Sequence, residues 1–181
     1  VYTISFLTFT SQLARAASED KKVAKRSVGL AKVAIVTASV AAALHGAGVM
    51  MRGIAAARVP WANMYEFSIS GSFVIVAIFL ISQIFIAEIR VISVMVTGFA
   101  LLVLGAATTV FYVQVKTLMP ALQSYWLVIH VTVAVLATSF FNIAAALSVA
   151  YLLKGSPWFA ARKDKLSFFI KRVLKVFPAE A

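Results

Sequence analysis

Residues 30–51, 67–86, 91–113 and 126–153 form four apolar runs in which Lys32 is the one formally charged residue. A hydrocarbon core of about 30 Å is crossed by about 20 helical residues. Backbone groups in lipid must find their hydrogen-bond partners within the chain, so each run is expected to be a membrane-crossing helix. The last run exceeds the minimum and has room to tilt or to extend past the bilayer. With 62% hydrophobic residues and a mean hydropathy of +0.97, the chain has more apolar surface than a soluble domain of this size hides. The expected fold class is therefore all-α, a polytopic integral membrane helical bundle.

The charges lie between the runs. Arg15, Lys21, Lys22, Lys25 and Arg26 precede the first, and Arg52 and Arg58 follow it. Arg90 sits in the short turn after the second, Lys116 after the third, and seven Lys or Arg residues after the fourth. The side carrying both ends of the chain thus holds thirteen and the other side three. The positive-inside rule puts both ends in the cytoplasm and the loops 53–66 and 114–125 outside. The net charge of +11 lies beside apolar runs, which suits anionic lipid and not nucleic acid. Cysteine is absent, which excludes disulfides and thiolate chemistry.

Residues 1–13 are half a span, read as the tail of a helix and less readily as an interfacial segment. Residue 1 is Val inside an apolar stretch, and further sequence is expected to precede it. At the other end, Leu166, Phe169, Ile170, Val173, Leu174 and Phe177 recur at helical spacing, opposite Lys165, Lys171, Arg172 and Lys175. This predicts a basic amphipathic helix on the cytoplasmic surface. The expected organisation is a partial helix and basic cytoplasmic linker over 1–28, a four-span membrane domain over 29–154, and a cytoplasmic basic amphipathic helix over 155–181.

The histidines are His45 and His130. His130 lies four residues into the fourth run, beside Trp126 at the interface, and its wheel neighbours include Thr138, Asn142 and Ser148. Such a polar stripe is expected to face a bundle interior or cavity. A neutral imidazole there is either a metal ligand or hydrogen-bonded to a neighbouring helix. His45 sits among Ala38, Ala41, Ala42 and Gly48, with Arg52 two turns on. That face suits helix packing, or a haem with its iron near His45 and its propionates near Arg52. In the loop after the first run, Asn63 and Glu66 have capping-box spacing. Trp61 and Tyr65 read as interfacial anchors that are also open to a ligand role. No phosphate loop, paired catalytic carboxylates or hydrolase nucleophile motif is present.

Two segments together resemble a known family. Arg58-Val-Pro-Trp-Ala-Asn-Met-Tyr-Glu-Phe67 is similar to the first outer loop of the CcsA/ResC cytochrome c biogenesis proteins, particularly actinobacterial ones. Leu118-Met-Pro-Ala-Leu-Gln-Ser-Tyr-Trp-Leu-Val-Ile-His-Val131 resembles the segment bearing that family's first external histidine. The resemblance covers roughly residues 30–153. It implies haem handling with a ResB-type membrane partner and haem attachment to apocytochrome c outside the membrane, as part of a haem lyase complex. It also implies that His130 is an axial ligand to haem iron. The family's tryptophan-rich outer segment and later histidines have no counterpart here, so the chain is expected to be a partial one or a subunit that lost them. Trp61, Tyr65 and Trp126 are expected to line the apolar edge of the site, with Arg52 and His45 as further haem contacts. Two other readings stay open. One is a non-catalytic b-haem or quinone-site subunit of a respiratory complex, with His45 and His130 holding one haem. The other is a cofactor-free transporter or scaffold.

Overall fold

The computed structural model describes residues 1–16, 21–117 and 123–155, and among these it is all-helical. Helix α1 spans Tyr2–Ala16, α2 Lys21–Ala56, α3 Met64–Phe85, α4 Ser93–Thr109 and α5 Tyr125–Gly155. A 3-10 helix over Ala87–Ile92 joins α3 to α4 with almost no loop. Four helical stretches, Ser27–Ala56, Met64–Phe85, Ile89–Thr109 and Tyr125–Leu152, are long and apolar enough to cross a membrane. The proposed amphipathic helix at 164–177 lies outside the described residues.

Three boundaries differ from the sequence reading. Lys21–Arg26 is not a linker but the beginning of α2, whose 36 residues extend about 54 Å. Lys and Ala are strong helix formers, so a basic stretch next to an apolar run continues the helix. Residues 1–13 belong to the 15-residue helix α1, which packs on α2 and α4. The third span, α4, stops at Thr109, and residues 110–113 leave it. Val110, Phe111 and Tyr112 are poor helix formers, and the Val113 carbonyl is engaged elsewhere.

Helix α3 is the centre of the bundle, in contact with α2, α4 and α5. Its Ile75, Val76 and Phe79 meet Ala41 and Ala42 of α2, Val96 and Ala100 of α4, and Ile143 and Ala150 of α5. A second cluster joins Phe9 of α1 to Ala34 and Ala38 of α2. Lipid offers no hydrophobic drive between helices, so close van der Waals contact must hold them, and small residues permit it. Gly98 illustrates the fit: a Cβ there would lie 3.1 Å from the Phe6 ring. Four hydroxyls of the bundle are satisfied within their own helices. Ser72, Ser82, Thr97 and Ser139 each donate to the carbonyl four residues earlier.

The connection from α2 to α3 is tightly built. Arg58 N–H donates to the Gly53 carbonyl at 3.2 Å and Ala57 N–H to that of Ile54 at 3.1 Å. This pair of bonds is the Schellman closure of a helix, and Ala57 supplies its left-handed residue with φ 50°. Asn63 then caps α3, its side chain accepting from Glu66 N–H at 2.9 Å.

Candidate functional site

The loop after α2, the start of α3, the segment after α4 and the start of α5 lie at one end of the bundle. Glu66 organises that end. Its carboxylate is fully buried, with Arg52 Nη2 3.0 Å from Oε1 and Arg58 Nη1 2.6 Å from Oε2. Arg52 Nε donates to Oε1 at 3.1 Å, Arg58 Nη2 to Oε1 at 3.2 Å, and Ala62 N–H to Oε2 at 3.0 Å. The capping box is therefore half formed. Asn63 serves Glu66 as expected, but the Glu66 side chain turns to two guanidiniums and the loop backbone instead of the Asn63 N–H. Arg52 reaches further: Nη2 donates to the Val113 carbonyl at 3.0 Å, and its guanidinium lies 5.1 Å from the Tyr65 ring centre. Tyr65 in turn meets Tyr112 edge-on at 5.3 Å. Arg52 is thus a structural clasp across three segments, which leaves it poorly placed as the free partner of a haem propionate.

Beside this cluster lies a cleft of about 470 Å³ between the α2–α3 loop and the start of α5. Arg58, Trp61, Thr117, Ser124, Tyr125 and Val128 contribute to its walls. Of the aromatic residues expected at the site, Trp61 lines this cleft. Tyr65 belongs to the arginine cluster, and Trp126, 75% exposed, stands on the outside of α5 against Tyr125.

His130 is exposed, and its ring makes no hydrogen bond among the described residues. It lies one helical turn from Trp126 on the same face of α5, and one turn beyond Leu127 of the cleft wall. That face points away from Val135, Ser139, Ile143 and Ala150, through which α5 packs on the bundle. The expectation that its polar stripe faces a bundle interior is therefore not met within this chain. Thr138 is exposed and bonds its own helix, donating to the Ala134 carbonyl at 2.7 Å. Only 17% of the apolar window of α5 is buried, against 33–39% for the other spans, so α5 presents the most open helix face.

His45 is in a different environment. Its Nδ1 is 3.2 Å from the Tyr2 hydroxyl, and its ring is met edge-on by Tyr2 and Phe73, both at 5.7 Å. Nε2 is buried without a hydrogen-bond partner among the described residues. Ala38, Ala41 and Ala42 are buried in helix packing. The part of the His45 face formed by Ala38, Ala41 and Ala42 is thus taken up by helix packing, whereas Gly48 is open, a Cβ there meeting nothing within 4 Å. Nor do the two histidines share a depth. His45 is eleven residues from the end of α2 at Ala56, about 16 Å, and His130 five from the start of α5 at Tyr125, about 8 Å. The extension of α2 beyond residue 51 accounts for this difference. With α3 as the hub between α2 and α5, the structure does not bring His45 and His130 together on one ligand.

The sequence marks Glu66 as a helix-end residue and Arg58 as a cation of the outer loop, but not their pairing. The available signal was charge: Glu66 and Glu88 are the sole acidic residues between positions 21 and 155. A lone carboxylate next to two arginines at the end of a span will take both.

Helices long and apolar enough to cross a membrane, tied at one end by an ionic and aromatic cluster, define a polytopic helical membrane protein. The chain belongs to the family described as Cytochrome C assembly protein, whose profile matches residues 61–177, 117 of its 181 residues. That membership gives it a role in cytochrome c maturation. The matched stretch begins at Trp61 and takes in Tyr65, Trp126 and His130, but not His45, Arg52 or Arg58. No curated protein and no solved structure gives a significant match.

Proposed function

We propose that this protein handles haem for c-type cytochrome maturation, holding it on the outer side of the plasma membrane with His130 as an axial ligand to iron. The observation that carries this reading is the open imidazole of His130 on the face of α5 that also bears Trp126. A neutral imidazole is a common haem-iron ligand. Here it needs no displacement of an existing partner among the described residues, and aromatic and apolar side chains flank it. Phe141 at 73% exposed and Val133 at 60% continue the same face toward the middle of α5. A haem plane lying there would meet apolar side chains below His130 and the cationic end of the bundle above it.

Haem is cargo in this reading, destined for the thiols of apocytochrome c, and a ResB-type membrane protein is the proposed partner. The residues of this chain bind and orient the cargo. His130 supplies the ligand atom, Trp126 shields one edge, and the Arg52–Glu66–Arg58 cluster fixes the loop carrying Trp61 beside the start of α5. The positive-inside count supports an outward position for this end.

The test is spectroscopic. Protein purified from haem-replete cells should show a Soret band that His130→Ala abolishes or shifts, with partial return on adding imidazole. An unchanged haem content and spectrum in that variant would remove His130 as the ligand.

A further inference from the structure

We infer that the cleft beside Arg58 is a binding site for the acidic head of an amphiphile, a carboxylate or a phosphate. The argument begins with charge. Arg52 and Arg58 share the single carboxylate of Glu66, so the cluster keeps one positive charge without a counter-charge. No other acid can supply it among the described residues here: the nearest in sequence, Glu88, belongs to the 3-10 helix at the far end of α3. Lys116 adds to the excess at this end. Both guanidiniums are mostly enclosed, with side chains 11% and 17% exposed, and an enclosed charge is costly unless it is paired.

One of the two guanidiniums reaches the cleft. Arg52 turns Nη2 to the Val113 carbonyl and its face to the Tyr65 ring, and it does not line the cleft. Beyond its bonds to Glu66, Arg58 has a long contact, 3.4 Å, to the carbonyl of Val59, and its Nε is buried without a partner among the described residues. Arg58 is also the guanidinium that lines the cleft. The walls also carry the hydroxyl residues Thr117 and Ser124, and the rings of Trp61 and Tyr125. A cation with two hydroxyls suits an anionic oxygen group. Two amphipathic rings at the end of the spans suit the adjoining apolar body. This site does not depend on His130 or on iron.

Two sources offer such a head within a membrane, the propionates of a tetrapyrrole and the phosphate of an anionic lipid. The full chain in phosphatidylcholine bilayer discs separates them. Metal-free protoporphyrin and its dimethyl ester probe the first; retention of added phosphatidylglycerol in native mass spectrometry probes the second. Thr117→Val with Ser124→Ala alters the cleft wall without touching the salt bridges, and Arg58→Gln removes the charge. A preference of about tenfold for the porphyrin acid over its ester, lost in both variants and kept in His130→Ala, assigns the site to a tetrapyrrole carboxylate. Selective retention of phosphatidylglycerol, lost in the same variants, assigns it to lipid. If neither preference exists, or if it survives the cleft-wall and Arg58 variants, the inference is overturned. Persistence in His130→Ala keeps this result separate from the fate of the axial-ligand proposal.

Discussion

Arg58 Nη1 lies 2.6 Å from Oε2 of Glu66, at a carboxylate with no exposure to solvent. The pair joins the loop leaving α2 to the first turn of α3, and Arg52 doubles it from within α2. Ion pairs of this kind give little net stability relative to well-packed apolar groups, but removing one member strands the others. The end of the bundle is thus held by a cluster that tolerates loss of a partner badly.

Glu66→Gln should therefore lower stability by about 2–4 kcal/mol, below the full range for buried pairs because both guanidiniums keep some exposure. Thermal unfolding in detergent, followed by tryptophan fluorescence, measures it. A midpoint equal to that of the wild type would show that the cluster is dispensable.

Ala57 occupies the left-handed position that closes α2, with φ 50°. A Cβ there is strained, and glycine relieves it. Ala57→Gly should raise stability by about 0.5–1 kcal/mol, and Ala57→Val should lower it. The ranking of the three thermal midpoints is the check; a lower midpoint for the glycine variant contradicts it.

Gly46 and Gly48 offer a paired test of packing within α2. A Cβ at Gly46 would stand 2.8 Å from the Phe73 ring, whereas one at Gly48 meets nothing within 4 Å. Gly46→Ala must push Phe73, and with it the edge contact to His45, at a cost of about 1–3 kcal/mol. Gly48→Ala should be neutral or stabilising by up to about 1 kcal/mol through helix propensity. Equal effects in the two variants would mean that α2 and α3 are further apart than the structure places them.

His45→Gln and Tyr2→Phe should leave any bound haem and its Soret band in place, because this pair joins α1 to α2 inside a filled contact. Their expected effect is on stability alone. Loss of haem in His45→Gln, with the protein still folded, would return His45 to the ligand set.

The spans were legible because lipid leaves an apolar run of 20 residues one structural solution. Their ends were less so. The basic residues 21–26 read as a linker by charge, yet their helix propensity carries α2 through them. The N-cap of Asn63 followed from local spacing, and the structure bears it out. The fate of Glu66 did not follow, since the choice between the Asn63 N–H and two arginines depends on how α2 closes onto α3. Likewise the wheel correctly grouped His130 with Thr138, but not the side to which they turn. A hydroxyl that bonds its own helix makes no demand for a cavity, so polarity alone could not orient α5. His45 depended on Tyr2, which is 43 positions away in sequence.

The span of the Glu66 cluster along the chain also orders its assembly. Synthesis delivers Arg52 and Arg58 before Glu66, and the three can meet as soon as α3 begins to enter the bilayer. The Val113 carbonyl that accepts from Arg52 Nη2 emerges only after α3 and α4 are complete. The clasp therefore closes in two stages, a hairpin lock first and a cross-brace to the later helices second. A chain stalled between these stages would hold α2 and α3 together while the start of α5 still lacked its neighbour.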